Sequence, residues 1–281
     1  MAVARRTARS ATRRNMPAAE RAIGIFDSGI GGLTVVQALL RLVPNEQLIY
    51  FGDTARTPYG TKSADVVRRY SFENTEFLLE RGVKLLVVAC NTSTATAFDA
   101  LQKRYEMPLV GVIEPGVVAA VAATRNGKVG VIATEATIAS GEYTRALRRL
   151  RRDLEIYTRA CPLFVPLAEE GWVDNDIARR TADTYLRSLR RSGIDTLILG
   201  CTHYPLLEGI IREAMGPDVT LVDSATATAR AVRDLLRRHR LLRSSGPGST
   251  HFFVTDAPER FVKVGSRFLG THVDSAVRIE R

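Results

Sequence analysis

Apolar and polar positions alternate in blocks along this chain. A short apolar run at residues 23–26 stops at Asp27-Ser28-Gly29, and Leu33, Val36, Leu40 and Val43 then recur at helical spacing until Pro44. Residues 48–51 predict a second strand and residues 64–82 a helix ended by Gly82. Residues 85–89 predict a buried strand, followed by a polar break and a helix over 93–105. Residues 109–113 predict another strand, with Pro115 in the first turn of the next helix. Residues 129–133, 197–200 and 219–222 predict further strands, each followed by a helix. After a loop at Ser244-Ser245-Gly246-Pro247-Gly248, residues 251–254 predict an edge strand. Repeated strand–helix units imply an α/β chain with parallel sheets and helices on both faces.

Laying the strands over one another exposes an internal repeat. Ile23-Gly24-Ile25-Phe26-Asp27-Ser28 matches Val129-Gly130-Val131-Ile132-Ala133-Thr134, and Val87-Val88-Ala89-Cys90-Asn91-Thr92 matches Ile198-Leu199-Gly200-Cys201-Thr202-His203. Val112-Ile113-Glu114 matches Leu221-Val222-Asp223, in the same order and at a similar offset. This predicts two pseudo-symmetric parallel-sheet domains with a cleft between them. Asp27, Cys90, Glu114, Thr134, Cys201 and Asp223 each follow the last apolar residue of a predicted strand. Ligands bind outside the carboxyl ends of strands in open α/β sheets, so both polar sets are expected to face one shared pocket.

Composition narrows the class. The 281 residues are 45% hydrophobic and 25% charged, ordinary for a globular protein, and no apolar run is long enough to span a bilayer. The net charge is +10, and residues 1–22 hold six arginines against the single acid Glu20. Only five of the 40 basic residues are Lys, so the Arg bias reads as compositional, solvated charge rather than a nucleic-acid surface. The Arg-, Ala- and Ser/Thr-rich stretch over 1–21 is similar both to a mitochondrial transit peptide and to a plain disordered tail, and Met16 could be the true start. A cytoplasmic protein with a dispensable tail is the expectation. Three cysteines argue against a secreted disulfide framework.

Cys90 and Cys201 hold equivalent places in the repeat, each at a strand-to-helix junction where a helix N-terminus favours a thiolate. Each has a candidate proton partner, Asp27 in the first half and His203 in the second, whereas Cys161 has no counterpart and reads as structural. Two acid/base groups on opposite faces of a carbon suit a racemase, which removes a proton from one face and returns one to the other. Lys is absent near these motifs, so nothing marks a pyridoxal phosphate site and no cofactor is expected. Fixed polar groups must then stabilise the carbanionic transition state. Other chemistries fit less well. Gly29-Ile30-Gly31-Gly32 is not G-x-G-x-x-G, no P-loop is present, and Cys201-Thr202-His203 lacks metal-site spacing, so no metal is expected. A Cys–His hydrolase or a C-x-x-C redox protein leaves the second equivalent Cys unexplained.

Gly24-Ile25-Phe26-Asp27-Ser28-Gly29-Ile30-Gly31-Gly32-Leu33 resembles the N-terminal signature of bacterial glutamate racemases, within the aspartate/glutamate racemase family. So do Pro58-Tyr59-Gly60, Ala89-Cys90-Asn91-Thr92, Val165-Pro166-Leu167-Ala168-Glu169-Glu170-Gly171 and Gly200-Cys201-Thr202-His203-Tyr204-Pro205-Leu206, over residues 22–240. The resemblance implies cofactor-independent interconversion of L- and D-glutamate, supplying D-glutamate for peptidoglycan. It implies Cys90 and Cys201 as the acid/base pair, Cys90 serving D-glutamate and Cys201 L-glutamate, assisted by Asp27, Glu169 and His203. It places Asp27, Ser28, Tyr59, Gly60, Asn91, Thr92, Thr134, Thr137, Thr202 and His203 around the substrate. It further implies a homodimer and a discontinuous first domain, residues 22–116 with 228–281, around a second domain at 117–227. Aspartate racemases and malonate decarboxylases share the architecture. Paired thiols argue against a decarboxylase, and also against a two-domain binding protein. The segments at 169–171 and 201–206 lean to glutamate over aspartate.

Overall fold

A computed structural model describes residues 16–280. It contains two sheets whose strand pairings are all parallel. In chain order the strands are β1 (Ile23–Asp27), β2 (Gln47–Gly52), β3 (Leu85–Val88), β4 (Leu109–Gly111), β5 (Lys128–Ala133), β6 (Glu155–Ala160), β7 (Thr196–Gly200), β8 (Thr220–Asp223), β9 (Ser249–Val254) and β10 (Val277–Arg278). The first sheet has the order β10-β9-β2-β1-β3-β4 and the second β6-β5-β7-β8. The block β2-β1-β3-β4 therefore repeats as β6-β5-β7-β8; the first two sequence matches fall on equivalent strands, whereas Val112–Glu114 lies just beyond β4 and its match Leu221–Asp223 within β8.

The helices that matter for the site are α1 (Leu33–Leu42), α2 (Ala64–Leu79), α3 (Asn91–Arg104), α4 (Ile113–Ala123), α5 (Glu135–Ser140), α6 (Glu142–Leu150) and α7 (Phe164–Glu170). They are followed by α8 (Asp176–Arg191), α9 (Glu208–Met215), α10 (Ser224–Arg238) and α11 (Pro258–Leu269). Both sheets are covered on both faces. Ile23, Ile25, Leu85 and Val87 enter one apolar core while Phe26, Leu86 and Val88 enter another. In the second sheet Ile132, Leu197 and Leu199 point opposite to Val129, Val131 and Ile198. Central parallel strands buried on both sides explain why β1, β3, β5 and β7 read as continuous apolar runs.

Several expectations change. β6 was not legible because it is an edge strand with Glu155 and Arg159 exposed, so no apolar run marks it. Residues 251–254 do not form an edge: β9 pairs along the whole of β2, and the two-residue β10 lies outside it. Glu114 does not join the cysteines, because β4 stops at Gly111 and Glu114 falls in the first turn of α4; there it is exposed, 3.7 Å from Arg149, and lines a separate cavity with Asp99, Glu142 and Arg145. Asp223 does line a small cavity with Cys201, Thr202 and Asn91, but its carboxylate also caps α10, accepting from the N–H groups of Ala225 and Thr226. The chain then returns through α10 to β9, so the C-terminal segment completes the first sheet.

Most of the expected N-terminal tail, residues 1–15, lies outside the described residues. Its end is not a loose tail. Ala18–Glu20 form a 3-10 turn, the Ala19 carbonyl accepts from Lys84 Nζ at 2.6 Å, and Glu20 pairs with Arg243 at 2.7 Å. Lys84 is itself paired with Glu46 at 2.5 Å in a fully buried contact, so residues 18–20 are held by a cation whose other partners are in the core. No helix among the described residues is long and apolar enough to cross a membrane.

Candidate active site

The chemistry-bearing residues lie at the carboxyl ends of the central strands. In the first half β1 ends at Asp27 and the neighbouring β3 is followed by Ala89 and Cys90, so a carboxylate and a thiol share adjacent strand ends. Cys90 is the N-cap of the 14-residue α3, and its sulfur accepts from the Ser93 N–H at 3.5 Å. Burial, and after it the nearby Asp27 charge, push the Cys90 thiol up to about 11, against the N–H of Ser93 and the hydroxyls of Ser93 and Ser28. Asp27 is fully buried. Its Oδ2 accepts from the Gly29 N–H at 2.9 Å, while its Oδ1 has no partner. Desolvation raises its pKa, opposed by His203 and by the N–H groups of Gly29, Gly32 and Ser28.

In the second half the strand equivalent to β1 ends in Ala133, so no carboxylate holds the place that Asp27 holds beside Cys90; Asp223, at the end of the neighbouring β8, lines a small cavity with Cys201. His203 takes that place, two residues after Cys201, with Nδ1 3.8 Å from Cys201 Sγ and Nε2 3.1 Å from Glu169 Oε1. Burial by itself would push His203 down, but Cys201 and Glu169 together carry it up to about 10. Both ring nitrogens thus face groups, a sulfur and a carboxylate, that favour the protonated ring. Glu169 is held below its usual range because hydrogen bonds and charge from His203 and Arg260 outweigh its burial.

The two halves meet at these strand ends. Thr92, at the start of α3, is 3.1 Å from both Thr134 and Thr137 of the second half, and those two are 2.9 Å apart. Three mutually bonded hydroxyls thus bridge the halves beside the α3 N-terminus, where backbone donors and the helix dipole favour a carboxylate. The Tyr143 hydroxyl donates to Asn91 Oδ1 at 2.6 Å across the same boundary, leaving Asn91 Nδ2 buried without a partner. Thr34 donates to the Thr202 carbonyl at 3.2 Å. Close approach is built in with glycine. A Cβ on Gly31 would lie 2.3 Å from Thr202 Oγ1 and 2.5 Å from the His203 ring, and one on Gly60 would lie 2.7 Å from Thr134 Cβ.

Tyr59 is used differently from a ligand-facing phenol. Its buried hydroxyl donates to Asp53 and accepts from Asn74 at 3.1 Å, which leaves the adjoining Gly60 backbone, not the phenol, as the group facing Thr134. Sequence reasoning missed Tyr143, Thr34, Asp53 and Arg260. None sits in a motif; Tyr143, Thr34 and Arg260 reach their partners from separate parts of the fold, and Asp53 meets Tyr59 through a local turn. No group of three or more His, Cys, Asp or Glu that could hold a metal occurs among the described residues.

Chemically, this is a pair of thiols at equivalent strand ends with unlike proton partners, next to a hydroxyl and N–H cluster suited to a carboxylate. Each thiol can take or give a proton, and the neighbouring hydroxyl and N–H groups suit an anionic group.

The Asp/Glu/hydantoin racemase family model matches residues 23–232. The glutamate racemase of Geobacter metallireducens is 59% identical over 251 residues, covering 89% of this chain and 93% of that protein. Among solved structures, a glutamate racemase isoform of Bacillus anthracis is 40% identical with a TM-score of 0.90, covering 92% of this chain and 97% of the other. The Francisella tularensis glutamate racemase in complex with D-glutamate is 39% identical with a TM-score of 0.88, covering 93% and 98%.

Proposed function

The chain belongs to the Asp/Glu/hydantoin racemase family and is an isomerase, and from that premise we propose that it interconverts L- and D-glutamate by proton transfer at Cys90 and Cys201. The observation that carries this reading is the placement of the two thiols. They cap equivalent strand ends of two matching sheets, one beside Asp27 and the other beside the His203–Glu169 pair.

With L-glutamate, Cys201 takes the α-proton as a thiolate and Cys90 returns one to the opposite face as a thiol. D-glutamate reverses the roles. The His203 imidazolium stabilises negative charge on Cys201, and Asp27 and Ser28 stand beside Cys90. The α3 N-terminus with Asn91, Thr92, Thr134 and Thr137 meets the substrate carboxylate, and the unpaired Asp27 Oδ1 accepts from its ammonium. A buried carboxylate oxygen with no protein partner is costly, and an ammonium group relieves that cost. The Thr202 hydroxyl and the Gly60 backbone complete the lining.

We assign the protein to the cytoplasm as a homodimer and its product to peptidoglycan synthesis, on the family resemblance. Residues 22–116 with 228–281, and residues 117–227, are the two units we assign to the fold. Loss of optical rotation from L-glutamate, with no cofactor added, tests the activity. Deuterium should enter the α-position when the reaction runs in D2O. A stable rotation would overturn the proposal, and a higher kcat/KM for L-aspartate would move it to aspartate.

A further inference from the structure

Helix α11 lies far along the chain from both thiols, yet it reaches the Cys201 side of the site. Phe261, Val264, Phe268 and Leu269 are buried and root α11 in the core it shares with α1. Arg260 and Arg267, seven residues apart, share another face of the helix. That face meets the end of α7. The Arg267 guanidinium lies against Gly171, whose φ of +77° ends α7, and Arg260 Nη2 is 3.1 Å from Glu169 Oε2 and 3.6 Å from Glu170 Oε1. The Phe268 ring stands edge-on to His203, with centroids 5.2 Å apart at 80°. Both members of the His203–Glu169 pair are therefore touched by one helix from the other half of the molecule.

Glu169 divides its oxygens, Oε1 to His203 and Oε2 to Arg260. The terminal torsion of a Glu side chain is soft, so a carboxylate held at one oxygen alone swings. We propose that Arg260 is a positioning residue for proton transfer at Cys201, pinning Glu169 so that His203 stays aligned with the sulfur. This inference rests on the racemase reading above. The Cys90 side has no equivalent, since Asp27 forms no ion pair among the described residues. The Arg260 side chain is 54% exposed, and an ion pair that open does little for stability, so its loss reads out in rate rather than in folding.

The test uses Arg260→Gln and Arg260→Lys in the full-length protein. The groups facing His203 are Cys201 and Thr202 from its own loop, Glu169 from α7, Asp27 from β1 and Phe268 from α11. In Arg260→Gln, kcat/KM should fall roughly tenfold, less than the ~100-fold or more that loss of an acid–base group itself costs. It should fall equally for both enantiomers, because they have equal energy. The isotope effect should rise with α-deuterated L-glutamate, where transfer to Cys201 becomes limiting, and shrink with α-deuterated D-glutamate. The acid limb of the pH profile should move up, because Glu169 loses a cation that holds it ionised. Arg260→Lys should restore most of the rate. Wild-type kinetics in Arg260→Gln, isotope effects that move alike for both enantiomers, or no rescue by Lys would overturn the inference. A wild-type protein that does not racemise glutamate would instead refute the functional reading on which it rests.

Discussion

The two halves share a strand order, and each places a cysteine after its second central strand, yet they treat that cysteine in opposite ways. Cys90 caps a long helix beside Asp27, a fully buried carboxylate with one oxygen unpaired, and the thiol is pushed up to about 11. Cys201 is followed by a 3-10 turn (Tyr204–Leu207) and faces a His203 imidazolium that Glu169 and Arg260 support. The same backbone plan thus yields one thiol held neutral next to a negative neighbour and one sulfur offered a positive one. The two-thiol scheme proposed above asks the pair to exchange roles with direction, and the unlike surroundings make the two exchanges chemically different. Duplicated topology places the two thiols, and the side chains packed around each give it a different electrostatic neighbour.

The largest effect should come from removing either base. Cys90→Ala and Cys201→Ala should each lower racemisation by at least ~1000-fold, because proton transfer by a positioned group contributes ~100- to 10,000-fold and both faces are needed. Polarimetry on the purified variants checks this. A rate within tenfold of wild type in either would break the equivalence of the halves.

A smaller and directional effect should follow from the partners. His203→Asn and Asp27→Asn should each cost roughly 10- to 100-fold in kcat/KM. His203→Asn should enlarge the primary isotope effect with α-deuterated L-glutamate, and Asp27→Asn the effect with α-deuterated D-glutamate. Responses that do not differ between the enantiomers would remove the assignment of each partner to its own thiol.

The smallest effect concerns stability. His203 is raised on folding from 6.5 to about 10, so its contribution is fully present below 6.5 and is lost as pH rises toward 10. The Cys90 thiol is raised from 9.0 to about 11, so folding keeps its proton and stability falls through that higher window as it ionises. Urea titrations of His203→Asn should show less loss of stability than wild type between pH 6.5 and 9. Apart from a pH-independent offset from the lost buried sulfur, the pH dependence of Cys90→Ala should depart from wild type only above about pH 9. A single shared window for both variants would contradict the separate environments described above.

How much of this was readable in the chain depends on burial. β1, β3, β5 and β7 announced themselves because both faces of each strand are covered, and the polar residue ending each run stood out as a site candidate. The edge strand β6 and the two-residue β10 were silent because their side chains are largely exposed and follow no apolar pattern. Cys90, Cys201, Asp27 and His203 were legible from local context. Tyr59 was legible as a motif residue, but not as a phenol bound to Asp53, and Glu114 was misplaced by two residues of strand that the chain does not form.

The amino-acid sequence by itself determined the parallel α/β plan, the internal duplication and the pair of thiols at strand ends. Hydrophobic periodicity and chain-order motifs are local and survive without a fold. Only the tertiary structure decided which groups act on each thiol. Asn91 meets Tyr143 from 52 residues away, and Glu169 meets Arg260 from 91 residues away. The charge state of His203 depends on a carboxylate 34 positions earlier. Desolvation and hydrogen bonding arise only when distant segments are packed together, so the electrostatics that distinguish Cys90 from Cys201 do not exist until the chain has folded.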